Sequence, residues 1–258
     1  MAKVSSFDCK FFSTVLNRNE ILKVLVPQDC ELSRIPVVLL LHGHTSNCTD
    51  WEMKTTVSRM CGIKEFAAVM PSGCNSFYTD MVHGERYGAF IGEEVPELAR
   101  RWFGFSQERE KNMVAGLSMG GYGAFKLALR NPQRYAYAAS FSGVLDLAQL
   151  ASEQSPGSTF YDLFRNIFGE DMHIRNTEHD LLHVLETFQG RADTLPKLYQ
   201  YCGRADFLYG ENQTFLKKAR ELGVDITYAE NGGGHEWPEW NDQMAAFIDW
   251  RNDLAEKK

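Results

Sequence analysis

The chain has 258 residues, of which 44% are hydrophobic and 24% are charged, and this composition is that of a globular protein rather than a disordered or fibrous one. A formal net charge of −7, without any cluster of lysine and arginine, argues against nucleic acid as a partner. The longest apolar run, residues 35–41, is too short to span a bilayer, and the first residues lack the apolar segment of a signal peptide, so we expect a cytoplasmic protein without a membrane partner.

The first predicted elements form an antiparallel hairpin. Two strand-like segments, residues 10–16 and 20–26, are separated by the polar sequence Asn17-Arg18-Asn19. Five apolar runs follow, of the kind found in strands that are buried on both faces. They cover residues 36–43, 66–71, 111–118, 137–143 and 197–203, and a last strand is predicted over residues 225–230.

Helical patterns alternate with most of these strands. They cover residues 51–61, 93–103, 119–130, 211–222 and 239–254. This alternation predicts an α/β fold with a mainly parallel central sheet and helices on both faces. Residues 147–195 form a connection too long for a simple loop, so we expect a small, partly helical cap insertion there. No repeat or linker interrupts the chain, which predicts a single domain over residues 1–258.

The sequence GLSMG, residues 116–120, stands between a predicted strand and a predicted helix. In this context the pattern G-x-S-x-G is typical of a nucleophile elbow, a tight turn that exposes a serine hydroxyl at the end of a strand. Gly116 and Gly120 have a physical role in such a turn, because only small residues let the strand and the helix approach closely. Ser118 is therefore the predicted nucleophile. The alternative is an ordinary serine N-cap on a βα turn.

A serine hydroxyl is a weak nucleophile without a base, so the turn also predicts an acid and a histidine later in the chain. His235 follows the last predicted strand, whereas the histidines at 173, 179 and 183 lie in the predicted cap. Asp206 follows the strand over residues 197–203, at the sheet edge where ligand sites of α/β proteins lie. We predict His235 as the base and Asp206 as its partner, with Asp225 and Asp193 as alternatives for the acid.

An oxyanion hole needs two N–H donors, one directly after the nucleophile and one from the loop after the strand over residues 36–43. Met119 is the first predicted donor, and His44 or Thr45 is the second, in both cases through the main chain. The candidates for the substrate pocket are aromatic or acidic side chains, for which packing in the core is the alternative. They are Tyr78, Asp80, Tyr122, Phe160 and Phe164.

Several other classes of enzyme lack their motifs in this sequence. There is no phosphate-binding G-x-x-x-x-G-K-[ST], no zinc-binding H-E-x-x-H, no G-x-G-x-x-G after a strand and no S-x-x-K. The six cysteines are scattered without a C-x-x-C pair or a Cys/His cluster at zinc-ligand spacing, so we expect free thiols. The predicted chemistry requires neither a metal nor another cofactor.

Six longer motifs carry a family resemblance. They are LLHGHTSNCTDW, FYTDMVHGERY, EKNMVAGLSMGGYGAFKLAL, ASFSG, YCGRADFLY and GGGHEWPEW. Between about residues 40 and 240 the sequence resembles the esterase D-like family of α/β-hydrolases, and within it the small bacterial tributyrin or acetyl esterases. The resemblance implies an α/β-hydrolase fold with Ser118, Asp206 and His235 as the catalytic triad. It also implies hydrolysis of acetyl to butyryl esters through an acyl-enzyme, and a homo-oligomer.

The same family contains feruloyl esterases and S-formylglutathione hydrolases, so both remain alternative substrate classes. This chain departs from the family pattern at Phe77, where tryptophan is frequent, and at His44, where a hydrophobic residue is common. Both changes concern the expected pocket and oxyanion loop, so the motifs do not fix the substrate. A binding protein on a hydrolase scaffold is the alternative outside enzymes, and the presence of all three triad residues argues against it.

Overall fold

The computed structural model describes residues 3–256, and eight strands of this range form one sheet. The strands are β1 (Val4–Ser13), β2 (Arg18–Pro27), β3 (Val37–Leu41), β4 (Ala67–Pro71), β5 (Asn112–Leu117), β6 (Tyr137–Phe141), β7 (Lys197–Tyr201) and β8 (Ile226–Ala229). Their spatial order is β1-β2-β4-β3-β5-β6-β7-β8. From β4 to β8 all neighbours are parallel, as the buried apolar runs predicted.

The predicted N-terminal hairpin is present, but its first strand has different bounds. β1 and β2 pair antiparallel from Val4 opposite Pro27 to Ser13 opposite Arg18, so the strand begins before residue 10 and ends before residue 16. The carboxylate of Glu94 ends β1, because it accepts hydrogen bonds from the N–H and the hydroxyl of Thr14, each at 2.7 Å. A contact with a residue so distant in sequence is not visible in the local pattern.

Ten α-helices are found in residues 3–256. They are α1 (Asp50–Lys54), α2 (Val57–Lys64), α3 (Tyr87–Ala89), α4 (Val95–Phe103), α5 (Met119–Arg130), α6 (Leu147–Ser152), α7 (Thr159–Phe168), α8 (Leu181–Glu186), α9 (Tyr209–Glu221) and α10 (Trp237–Glu256). None of the helices in this part of the chain is long and apolar enough to cross a membrane. The predicted cap at residues 147–195 contains α6, α7 and α8, so it is partly helical as expected.

Two helix predictions were wrong in their bounds. The single helix predicted over residues 51–61 is divided into α1 and α2, because Thr55 adopts an extended conformation and its hydroxyl donates to the carbonyl of Trp51. The helix predicted over residues 93–103 begins earlier, since a π-turn over Phe90–Glu94 joins α3 to α4. In the sequence, glycines at 88 and 92 conceal this extension because glycine is a poor helix former.

Two hydrophobic cores cover the two faces of the sheet, as the α/β prediction requires. On one face α5 packs against β3, β5 and β6, and α4, α9 and the cap complete this core around Phe125, Phe164 and Phe215. On the other face α2 and α10 pack through Met60 and Phe247. The strand ends that carry the predicted site therefore emerge between two packed layers, where the loops rest on a rigid base.

Candidate active site

Ser118 occupies the turn between β5 and α5 in a strained conformation with positive φ, at φ 53° and ψ −120°. Few residues other than glycine adopt a positive φ, and such strain is found where surrounding contacts hold it. Here the Ser118 N–H donates to the carbonyl of Phe141 at 2.9 Å, and its own carbonyl accepts the N–H of Tyr122 at 3.1 Å. These backbone bonds hold the serine at the carboxyl edge of the sheet.

The two glycines that flank Ser118 allow this turn to form. A Cβ atom at Gly116 would collide with the carbonyl group of Gly120. A Cβ atom at Gly120 would lie 2.5 Å from the carbonyl oxygen of Leu41, at the end of β3. Cβ atoms in proteins do not approach oxygen so closely, and moving the backbone carbonyls aside would disturb the strand and the helix. Both positions therefore require glycine, as the sequence motif indicated.

Asp206 and His235 are brought together at the same edge of the sheet. The loop between β7 and α9 carries Asp206, and the loop between β8 and α10 carries His235. His235 Nδ1 lies 2.9 Å from one carboxylate oxygen of Asp206 and 3.1 Å from the other. The side chain of Asp206 is fully buried, whereas that of His235 is 19% exposed. This pairing leaves the Nε2 atom of His235 as the ring nitrogen available for chemistry.

Asp206 is held ionised by its surroundings. Burial alone would raise the pKa of its carboxyl, but hydrogen bonds from His235, from the Leu208 N–H and from the Ser142 hydroxyl outweigh burial and lower the pKa below its usual value. The Leu208 N–H donates to Asp206 Oδ1 at 2.9 Å. A buried carboxylate that stays charged can orient an imidazole and stabilise its protonated form.

Ser142 and Trp240 connect the serine turn with the histidine. Ser142 follows β6 with a φ of 49°, directly after the carbonyl that accepts the Ser118 N–H. Its Oγ accepts the indole N–H of Trp240 at 3.1 Å, and the Trp240 ring stands edge-on to the His235 ring with centroids 4.9 Å apart. Within residues 3–256 no direct hydrogen bond joins Ser118 and His235, and such bonds often shorten only when a substrate is bound.

The alternative acids and histidines lie elsewhere. Asp225 precedes β8, at the opposite edge of the sheet, and forms an ion pair with Lys197. Asp193 belongs to a short 3-10 turn and is exposed. The histidines of the cap do not pair with Asp206; His183, for example, lies 3.7 Å from Glu186.

The loop after β3 carries the predicted second oxyanion donor. The Thr45 N–H donates to Asn75 Oδ1 at 2.8 Å, so it is already engaged. The His44 N–H has no hydrogen-bond acceptor among residues 3–256. Met119 is the first residue of α5, where no preceding helical carbonyl is available to its N–H. The geometry thus favours His44 over Thr45 as the partner of Met119.

A buried network fixes the conformation of this loop. The Tyr78 hydroxyl donates to the carbonyl of His42 at 2.7 Å. On the other side, the Gly73 N–H donates to His42 Nε2 at 2.8 Å. Burial lowers the pKa of His42, so its ring stays neutral and can accept this hydrogen bond. The carbonyl and the ring of His42 are thus both held, two residues before the predicted donor.

Aromatic side chains from the cap lie over the loop. Phe160 of α7 is half-buried, and its ring centroid is 4.9 Å from that of His44. Phe164 is completely buried, stacks on Phe160 at 5.4 Å and meets Phe77 at 5.2 Å. Burial also lowers the pKa of His44, which keeps its ring uncharged beside these apolar neighbours.

The other three pocket candidates have different surroundings. Tyr78 and Tyr122 are completely buried; the hydroxyl of Tyr122 donates to the carbonyl of His179 at 3.0 Å. Asp80 accepts the N–H of Ala89 at 2.8 Å and lies along a separate cavity of about 280 Å³ that also borders His179. Tyr78 and Tyr122 therefore have the core-packing role that was the alternative for aromatic residues.

Three neighbours of the site were not anticipated from the sequence. Ser142 contacts Trp240, Asn75 accepts the Thr45 N–H, and the Phe207 ring lies 4.6 Å from that of His235. The position of Ser142 at the carboxyl end of a predicted strand was a usable signal, as was that of Phe207 directly after the predicted acid. No feature of the sequence indicated Asn75, because its hydrogen bond with the Thr45 N–H depends on how two distant loops pack together.

No group of three or more His, Cys, Asp or Glu side chains in residues 3–256 is arranged to hold a metal ion.

The strand order, the serine turn with its positive φ and the Asp–His pair at one sheet edge are those of an α/β-hydrolase of the serine type. The family comparison agrees with this class. The sequence model of the family described as putative esterase matches residues 13–250, and the chain belongs to this family.

Three relatives extend over nearly the whole chain. An acetyl esterase from Caldicellulosiruptor saccharolyticus is 29% identical over 95% of this chain and 97% of its own. The substrate-bound structure of the fluorophosphonate-binding serine hydrolase F of Staphylococcus aureus is 27% identical, with a TM-score of 0.87 over 96% of this chain and 98% of that one. An S-formylglutathione hydrolase of the same organism is also 27% identical, with a TM-score of 0.86 over 97% and 99% of the two chains.

Proposed function

We propose that the protein is a carboxylesterase that hydrolyses short-chain acyl esters, with Ser118, His235 and Asp206 as its catalytic triad. The proposal rests on the hydrogen bond of 2.9 Å between His235 Nδ1 and the buried, ionised carboxylate of Asp206. This pair lies at the same edge of the sheet as the strained Ser118 turn. A serine on such a turn needs a base held in one orientation, and this pair supplies it.

The reaction begins when Ser118 Oγ attacks the ester carbonyl and its proton passes to His235 Nε2. The N–H groups of Met119 and His44 stabilise the negative oxygen of the tetrahedral intermediate, each worth about two to three orders of magnitude in kcat. Collapse of the intermediate breaks the ester bond, and His235 donates its proton to the departing alcohol oxygen. His235 then takes a proton from water, which attacks the acyl-enzyme. The bond between the acyl carbon and Ser118 Oγ breaks, His235 returns the proton to Oγ, and the acid is released.

The size of the acyl group is inferred from the cap. Phe160 lies beside His44, whose N–H is the proposed oxyanion donor, and Phe164 packs against both Phe160 and Phe77. A carbonyl oxygen bound by the His44 N–H places its acyl chain near these rings. From these closely packed apolar rings we infer a small, uncharged acyl group, acetyl to butyryl.

A thioester substrate is the second candidate. It is favoured by the likeness to the S-formylglutathione hydrolase of Staphylococcus aureus, which covers 97% of this chain. The chemistry of the triad is the same for oxygen and sulfur esters, so only the leaving group differs. A feruloyl esterase is the third candidate, and its bulky acyl group would have to displace Phe160 from His44.

The test is kcat/KM for p-nitrophenyl esters from acetate to octanoate, together with S-formylglutathione and ethyl ferulate. We expect turnover that falls steeply beyond butyrate and is lost in Ser118→Ala. Labelling by a fluorophosphonate probe should be lost in the same variant and retained in Ser33→Ala, a matched exposed serine far from the site. Preferred turnover of S-formylglutathione or of ferulate would reassign the substrate, and activity independent of Ser118 would refute the mechanism.

A further inference from the structure

Phe207 is an apolar side chain in an unusual place. It directly follows Asp206, and 76% of its surface is exposed. Its ring lies against the imidazole of His235, with centroids 4.6 Å apart and planes inclined by 46°. An exposed aromatic ring by itself needs no explanation, but one that contacts the proposed catalytic base lies at the entrance to the site.

The contact with His235 determines which part of a substrate can reach Phe207. In the proposed reaction, His235 Nε2 donates its proton to the oxygen of the departing alcohol, so that oxygen must come within hydrogen-bond distance of the imidazole. The group attached to the oxygen therefore extends past the imidazole ring. The acyl group extends instead toward His44 and Phe160. Phe207 thus adjoins the alcohol side of the substrate.

We propose that Phe207 forms an alcohol-binding subsite that selects esters of neutral alcohols bearing a ring with an apolar face. The exposed ring offers an apolar face, against which an aryl ring or the C–H face of a sugar ring can stack. This inference rests on the proposed esterase function and adds to it the class of the leaving group.

The charges near Phe207 explain why the alcohol is expected to be neutral. Arg204 lies in the same loop, and its guanidinium is paired with Glu230 at 3.2 Å. The hydroxyls of Tyr209 and Tyr228 also donate to Glu230, at 2.9 Å and 3.1 Å. Arg204 and Glu230 balance each other's charge, so this cluster presents no net charge to the carboxylates and the ammonium group of a glutathione thiol. The subsite therefore favours a neutral ring over that leaving group.

The proposal has a kinetic signature, because the alcohol leaves before the acyl-enzyme is hydrolysed. Loss of Phe207 must slow the acylation of the enzyme by ring-bearing esters and leave the hydrolysis of the acetyl-enzyme unchanged. A side chain that merely positions His235 would affect both steps, since the imidazole serves as acid–base in each of them. The two roles can thus be separated experimentally.

The experiment compares acetate esters that share one acyl group and differ in the alcohol. Benzyl acetate tests an aryl ring, methyl 6-O-acetyl-glucopyranoside tests a sugar ring, and ethyl acetate has no ring. For Phe207→Ala we expect kcat/KM to fall by about two- to tenfold for the ring-bearing esters, the range of a single aromatic contact, and to stay unchanged for ethyl acetate. Phe207→Tyr should retain the preference. Phe12→Ala, at an exposed phenylalanine on β1, is the matched control and should change nothing.

A loss confined to benzyl acetate would assign the subsite to aryl alcohols, and a loss confined to the glucopyranoside ester would assign it to sugars. Equal losses for all three esters, or a slower hydrolysis of the acetyl-enzyme in Phe207→Ala, would overturn the inference and leave Phe207 as a positioning residue. The esterase proposal would survive that result, since it depends on whether turnover of ethyl acetate by the wild type is lost in Ser118→Ala.

Discussion

Lys126 makes the stability of this protein depend on pH in a way that can be measured. The side chain, on α5, is buried, and its ammonium group donates to Thr79 Oγ1 at 2.6 Å and to the carbonyl of Tyr78 at 3.4 Å. No carboxylate within residues 3–256 forms an ion pair with it. Burial, assisted by the positive charge of Arg130, lowers the pKa of Lys126 from 10.5 to about 7, although Glu178 and Asp80 oppose the shift.

The direction in which stability changes with pH follows from the difference between the pKa of Lys126 in the folded and the unfolded chain. Between pH 7 and pH 10.5 the unfolded chain keeps the proton of Lys126 while the folded chain releases it, so the folded state gains stability as the pH rises. Each full pH unit corresponds to about 1.4 kcal/mol, but at pH 7 the folded side chain is still about half protonated, so the interval from pH 7 to pH 9 contributes about 2 kcal/mol to the free energy of unfolding.

The perturbation is Lys126→Met, which keeps the apolar stem and removes the ionisable group. We expect the free energy of unfolding of the wild type to rise between pH 7 and pH 9 relative to that of the variant, by about 2 kcal/mol. Urea titrations followed by tryptophan fluorescence at three pH values measure this difference. Lys217→Met, at an exposed lysine, is the control and should follow the wild type. Parallel pH dependence in wild type and Lys126→Met would refute the reasoning.

Three further variants test the site itself. Asp206→Asn should lower kcat by about three to four orders of magnitude with little loss of folding, because His235 then loses its orienting charge; steady-state kinetics with circular dichroism checks this. Gly120→Ala should lower the free energy of unfolding by about 1–3 kcal/mol, since its methyl group meets backbone carbonyls, and an unchanged Tm would contradict it. Tyr78→Phe removes the bond to the His42 carbonyl, so we expect about 1–3 kcal/mol of destabilisation and a lower kcat, whereas wild-type values in both assays would exclude this role.

The catalytic candidates could be predicted because their positions depend on topology. In a parallel sheet the carboxyl ends of all strands meet at one edge, so a serine, an acid and a histidine after three different strands must approach one another. Asp206 and His235 are separated by many residues in sequence and lie in loops after β7 and β8, which are neighbours in the sheet. The rejection of Asp225 follows from the same rule, since it stands before its strand.

The surroundings of the oxyanion loop could not be predicted in the same way. Phe77 and Tyr78 are consecutive residues with φ values of 49° and 52°, and neither is glycine, so the local sequence gives no indication of this conformation. Tertiary contacts hold it: Ser76 Oγ accepts the Tyr78 N–H at 3.1 Å, and Lys126 binds the next residue, Thr79. Sequence patterns describe short-range preferences, and they fail where distant side chains impose the backbone conformation.

The catalytic candidates and the side chains proposed to bind the two parts of the substrate lie on different segments of the chain. In the proposed mechanism the loops after β5, β7 and β8 carry the reacting groups, whereas the acyl group would meet Phe160 of the cap and the alcohol would meet Phe207. Phe160 lies on α7, which packs over the loops without supplying a backbone bond to the Ser118 turn. Changes in the cap can therefore alter acyl selectivity while the Asp206–His235 pair keeps its geometry. This separation accounts physically for how one family can retain its reaction while the substrates of its members differ.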